Sequence, residues 1–195
     1  MCSQEDLMAK VYDIQKLIAK IESCLNSLGI PYSLVEKRNL PMFHEADELM
    51  VIGNSSSGRP YYLTSEAGNE WFRMRDAAES DGVILTIVSA YRSFQRQYEI
   101  VKSKIERGIS PEIVFSVNAP PGYSEHHTGR ALDLNTINCI PLDKSFEKTT
   151  AFLWLQKNAK DFGFELSYPA SNPFGFEYEP WHWCYQKTSV SHSLE

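Results

Sequence analysis

Seven aliphatic residues, Leu7, Val11, Ile14, Ile18, Ile21, Leu25 and Leu28, recur at steps of 4,3,4,3,4,3 near the start of a 195-residue chain. Alternating steps of three and four keep one stripe of a helix apolar, so the spacing predicts a helix over about 4–28 whose seam has to be covered. Lys10, Asp13, Lys16, Lys20 and Glu22 take its other faces, and Gly29 stands where a helix stops. Two covers are open: the chain's own domain, or self-association through a second copy of the helix. Three heptads are about the shortest run that supports such a coiled coil.

After this helix (1–29), Pro31, Pro41 and the polar run from Gly53 to Gly58 read residues 30–61 as linker or surface loops. The main domain is expected over 62–187, with 188–195 as a tail. Trp71, Met74 and Ala78 sit at helical spacing within a helix predicted over 65–80. The β-branched run Val83–Val88 reads as a buried strand, and Ser93 caps a helix over about 94–107 that ends at Gly108. A rigid turn at 119–122 precedes a short strand, Ala131–Leu134. A helix from Thr149 or Thr150 is stopped by Gly163, and aromatic-rich strands near 164–168 and 178–185 follow. Helices and strands do not alternate strictly. The expected class is therefore α+β, a small domain with a central antiparallel sheet flanked by helices, plus the N-terminal amphipathic helix.

Composition excludes several kinds of partner. With 43% hydrophobic and 12% aromatic residues, the chain can bury a sizeable core. The net charge of −6 argues against nucleic acid, which requires a basic face. No apolar run reaches the roughly 20 residues of a membrane span, and no signal segment is read at the start of the chain. The four cysteines are scattered, with no CxxC pair, so neither a thiolate zinc site nor a disulfide framework is indicated.

Five histidines are present, and three fall in two dense patches, Ser124-Glu-His126-His127-Thr-Gly-Arg-Ala-Leu-Asp133 and Glu179-Pro-Trp-His182-Trp. Zinc takes imidazole nitrogen and carboxylate oxygen at about 2.0–2.2 Å, so its ligands must converge. On a helix, His126 and Asp133 would stand about 10 Å apart along the axis, and on a straight strand they would face opposite ways. They meet only if the chain folds back at Thr128-Gly129, and a third ligand, His182, has to come from afar. Two histidines and one carboxylate leave one tetrahedral position open, the pattern of a catalytic site. Glu179 reaches the same place as a general base only if Pro180 ends regular pairing there. A third patch, Ser89-Ala-Tyr-Arg92-Ser-Phe-Gln-Arg-Gln97, puts an arginine fork at the exit of the buried strand, able to grip a carboxylate.

The strings SAYRSFQRQ, PPGYSEHHTGRALDL and GFEYEPWHW, in this order, closely resemble the VanY-type D-alanyl-D-alanine carboxypeptidases, from about Tyr62 to Tyr185. The resemblance implies a zinc peptidase acting on the stem peptides of peptidoglycan. It implies Zn2+ held by His126, Asp133 and His182, with Glu179 as catalytic base and Arg92 as a catalytic and substrate-binding group near the metal. Gln97 and Ser124 are implied as substrate-binding residues. Two positions depart from the family pattern: His127 stands where glutamine is common, as a rival to His126, and Cys184 stands where arginine is frequent. Alternation puts Cys184 on the His182 side, where a small buried filler is expected, while Trp181 and Trp183 face the core.

The implied reaction removes the C-terminal D-alanine from stem pentapeptides. An L,D-carboxypeptidase trimming tetrapeptide to tripeptide is the alternative within enzymes, and a non-catalytic zinc-containing cell-wall module is the rival from another class. The substrate implies the bacterial cell envelope, although the chain shows no export signal.

Overall fold

Residues 4–186 are described by a computed structural model. The apolar seam near the start of the chain forms helix α1, Gln4–Ser27. Gly29 ends it with φ +70°, while the Ile30 amide donates to the Leu25 carbonyl and the Gly29 amide to that of Asn26. That pair of bonds is the left-handed cap for which glycine is suited. The seam divides along its length: Ile21 and Leu25 are fully buried, whereas Leu7, Val11 and Ile14 are 59, 47 and 44% exposed. The chain's own domain thus covers the C-terminal half.

Two hydrophobic cores organise the rest. One gathers Ile21, Leu25, Ile30, Val35, Leu40, Phe94, Val101, Val114, Phe115 and Tyr123. It joins α1, the short α2 (Ser33–Glu36), α4 (Phe94–Glu106) and α5 (Pro111–Val117). Ser93 caps α4 by accepting from the Arg96 amide, as expected. The other core packs α3 (Ser65–Ser80) and α6 (Thr150–Asn158) around a four-stranded sheet. Its strands are β3 (Thr86–Ser89), β4 (Ala131–Asn135), β5 (Phe164–Leu166) and β6 (His182–Tyr185), ordered β3-β4-β6-β5 with every pairing antiparallel. Trp71, Met74 and Ala78 line the buried face of α3, and Trp183 is buried in the same core with Trp181 packed against it.

Four stretches differ from expectation. The segment read as irregular over 30–61 holds α2 and most of a hairpin, β1 (Met50–Asn54) with β2 (Pro60–Leu63), whose turn is the polar Gly53–Gly58 run. Helix α5 was not foreseen. Its signals were Ser110 as cap and Pro111 at the first turn, but seven residues are too few to show a period. The strand expected over Val83–Val88 is Thr86–Ser89, and that expected over 178–185 is His182–Tyr185. Pro180 has no N–H for a ladder, and the His182 amide bonds back to the Glu179 carbonyl at 3.1 Å, so a turn occupies those positions. Cys2 and the tail expected over 188–195 lie outside the described residues.

Candidate metal centre

Strand register makes the first contact. Asp133 on β4 sits opposite His182 on β6 and opposite Ser89 on β3, in the middle of the sheet. Directly opposed residues point to the same face, and the Asp133 Oδ1 to His182 Nδ1 distance is 3.0 Å.

His126 arrives by the fold-back. Glu125–Thr128 form one 3-10 turn, which Gly129 closes at φ +64°. The chain on either side is pinned: the Ala46 amide bonds the His127 carbonyl at 2.8 Å, and the Thr64 amide bonds the Gly129 carbonyl at 2.8 Å. The turn lays the His126 ring beside His182, centroids 5.0 Å apart. His126 Nδ1 lies 2.6 Å from the Ala90 carbonyl, which can only accept, so that nitrogen carries the proton and Nε2 keeps its lone pair. Nε2 is 3.2 Å from Asp133 Oδ2, yet it is buried and makes no hydrogen bond.

One ligand atom from each of His126, Asp133 and His182 lies within 4.8 Å of the others, and all three residues are buried. Two ligands at about 2.0–2.1 Å from a tetrahedral ion stand roughly 3.3 Å apart. A close but unbonded approach of His126 Nε2 to the carboxylate is therefore the spacing of two donors aimed at one cation. These residues fit a divalent ion of the zinc type: the donor set is two imidazoles and a carboxylate, and the orphaned nitrogen has no other partner.

Electrostatics follow from the same contacts. Burial and the Arg92 guanidinium lower His126 to about 4, so it is neutral. Burial alone would also lower His182. Its bonds to Asp133 and to Glu125 Oε2, the latter at 2.9 Å from Nε2, outweigh that and push it up to about 10. Burial would raise Asp133, but the two histidines hold it well below the usual carboxylate range. Glu179 has its Oε2 4.0 Å from His182 Nδ1. Burial raises its carboxyl to about 7, with the Asp133 charge adding to the rise and His182 and Arg92 opposing it.

The remaining expected residues line one cavity of about 680 Å³ with this group. Arg92 donates through Nη1 to Gln97 Oε1 at 3.0 Å and through Nη2 to Asp133 Oδ2 at 3.3 Å, while Gln97 Nε2 donates to the Ala119 carbonyl at 2.7 Å. Gln97 is buried and orients Arg92. Ser124 is buried and lines the cavity beside His126.

His127 points elsewhere. Its Nε2 accepts the Gly122 amide at 3.1 Å, its Nδ1 faces the Arg92 carbonyl at 2.7 Å, and its ring stacks on Phe94. Both nitrogens are engaged, so His127 is a pin between turns. Cys184 is buried opposite Ala131, next to the Glu125 carboxylate that faces His182, and burial raises its thiol pKa.

Two residues here were missed in the sequence. Glu125 holds the far nitrogen of His182, the arrangement in which a carboxylate fixes the tautomer and orientation of a metal-binding ring. Its one signal was adjacency to His126. Tyr168 lies with its ring 4.7 Å from that of His182 and lines the cavity, and its signal was membership of an aromatic-rich stretch.

Two imidazoles, a carboxylate and a second, weakly acidic carboxyl beside an open cavity define a hydrolytic metal site. Residues 60–188 match the family model of the D-alanyl-D-alanine carboxypeptidases, VanY, and the chain belongs to that family. It is 29% identical over 191 residues to YodJ of Bacillus subtilis (strain 168), which carries a provisional carboxypeptidase name, covering 92% of this chain and 68% of that one. The LD-carboxypeptidase LdcB superposes with TM-score 0.66 at 33% identity, over 74% of this chain and 71% of its own. A mutant of the vancomycin-resistance D,D-pentapeptidase VanY, solved with Zn(II), superposes with TM-score 0.58 at 28% identity, over 75 and 82%.

Proposed function

We propose that this chain is a zinc-dependent D,D-carboxypeptidase that removes the C-terminal D-alanine from peptidoglycan stem pentapeptides in the bacterial cell envelope. The observation that carries the reading is the convergence of His126 Nε2, the Asp133 carboxylate and His182 Nδ1 on one point, with Glu179 beside it. The catalytic unit is taken as 62–187, braced by α1.

When bound by those three side chains, zinc supplies Lewis acidity to the scissile carbonyl and lowers the pKa of water. Glu179 takes a proton from the attacking water and returns it to the leaving amine, a shuttle suited to a carboxyl raised toward neutrality. Arg92, fixed by Gln97 and Asp133, places positive charge where the carbonyl oxygen gathers negative charge. Glu125 and the Ala90 carbonyl hold the two imidazole rings, and Ser124 lines the substrate path.

An L,D reading is favoured by one observation, the likeness to LdcB, whose identity of 33% exceeds the 28% of VanY. Mass spectrometry of pentapeptide and tetrapeptide after incubation with zinc-loaded and chelated protein tests both. Loss of one alanine from the pentapeptide only is expected. Loss from the tetrapeptide only changes the assignment to L,D, and no loss from either refutes the carboxypeptidase reading.

A further inference from the structure

A carboxypeptidase substrate carries a free carboxylate, and the cavity's most buried cation is committed elsewhere. Both terminal nitrogens of Arg92 are bonded, one to Gln97 and one to Asp133. Helix α4 provides further charge. Arg96, Ile100 and Lys104 recur every four residues and line the cavity together, which makes them one face of that helix. Arg96 shares its charge with Glu99, 3.4 Å away toward solvent. Lys104 is half-buried, and among the described residues no carboxylate lies within ion-pair distance of it.

The loop residues of the same lining have the other character. Asp143 and Glu177 are among them, and their one cation, Lys144, is paired to Glu177 at 2.7 Å. An anion entering this cleft is therefore drawn to the α4 residues in preference to these loops. Lys104 also senses the site's charges: burial and Arg107 lower its pKa, Glu179 raises it and Arg92 lowers it again.

We propose that Lys104, seconded by Arg96 two turns earlier on the same face of α4, anchors a carboxylate of the substrate while the scissile bond lies at the metal centre. Lys104 follows Gln97 by seven residues, about 10 Å along the helix axis, and a lysine side chain recovers much of that distance. Two carboxylates are then in reach: that of the leaving C-terminal residue, or that of an acidic residue two or three positions toward the amino end. The inference rests on the carboxypeptidase reading.

The test uses the zinc-loaded full chain, Lys104→Gln and Lys104→Arg. The substrates are a pentapeptide ending in D-Ala-D-Ala with a free glutamate carboxylate and its glutamate-amidated counterpart. Lys104→Gln is expected to raise KM about tenfold on the fully charged peptide, with kcat changed less than twofold and Lys104→Arg restoring most of the loss. If the penalty vanishes on the glutamate-amidated peptide, the internal carboxylate is the one held; if it persists, the terminal one is. A Lys104→Gln KM within twofold of wild type on both peptides overturns the proposal, as does a loss confined to kcat. Binding of the same peptides to zinc-loaded Glu179→Gln, with and without Lys104→Gln, is read by calorimetry. If wild type hydrolyses neither peptide, the proposed function fails while this binding comparison still decides Lys104: equal affinities overturn it, and a tenfold difference upholds it.

Discussion

Gly129→Ala probes the fold-back that brings His126 over Asp133. Gly129 sits at φ +64°, where an L side chain costs roughly 1–2 kcal/mol. An added Cβ would also lie 2.8 Å from Leu49 Cδ2 and 3.2 Å from both Ala46 Cβ and Thr64 Cγ2. Leu49 can turn its tip aside. Ala46 and Thr64 cannot, because each backbone is bonded to the same turn. Overpacking of that kind costs about 1–3 kcal/mol, so the total expected is about 2–5 kcal/mol. Gly82→Ala is the control, since Gly82 has φ +76° with nothing within 4 Å of its would-be Cβ, leaving the conformational cost alone. Urea unfolding of the two variants should differ by about 1–3 kcal/mol, and competition with a chelator should show weaker zinc binding for Gly129→Ala only. Equal stability losses, or undiminished zinc affinity in Gly129→Ala, would refute the argument that this crowded turn sets the distance between the two side chains.

Glu179→Gln should lower kcat by roughly 10²–10⁴-fold while zinc content stays near one per chain by metal analysis, and near-native turnover would remove Glu179 from the mechanism. The acid limb of kcat/KM should titrate at or below about 7, because Glu179 acts as the carboxylate and a bound cation only lowers its pKa; a limb above pH 8 in a pH–rate profile contradicts this. His182, pushed up to about 10 without metal, is protonated at pH 7 and must lose a proton to offer Nδ1. Zinc affinity should rise with pH below that value, and calorimetry in buffers of different ionisation enthalpy should report about one proton released; none released would exclude the His182 assignment. Glu125→Ala should weaken zinc binding roughly 10–100-fold, with Glu125→Gln closer to wild type in the same competition assay.

How much of this was legible depended on the range of the cause. The seam of α1, the glycine stop at Gly29 and the Ser93 cap are local, and each lies where the sequence placed it. The grouping of His126, Asp133 and His182 was also readable, because few histidines exist, a cation requires converging ligands, and the family resemblance favoured His126 over His127. Other features are decided only by packing. The Gly53–Gly58 run looks the same as linker or as hairpin turn until Ile52 and Leu63 find the core. His126 and His127 are neighbours of one type, and the Gly122 amide separates their roles. Glu125 meets a partner 57 residues away, which no local pattern encodes.

The two cores described above meet at the cleft, and this divides labour between its walls. Asp133 and His182 stand on strands of the sheet core, whereas α4, with Gln97 and Lys104, belongs to the helical core that Ile21 of α1 helps to close against Phe94 and the Gly122 turn. The walls are linked at one point, because His127, next to His126, accepts the Gly122 amide and stacks on Phe94. A change in how Ile21 of α1 seats against Gly122 and Phe94 would therefore reach the turn that carries His126, while Asp133 and His182 keep the spacing that the β-ladder sets. The N-terminal helix is in this sense the adjusting screw of a gauge whose fixed jaw is the sheet.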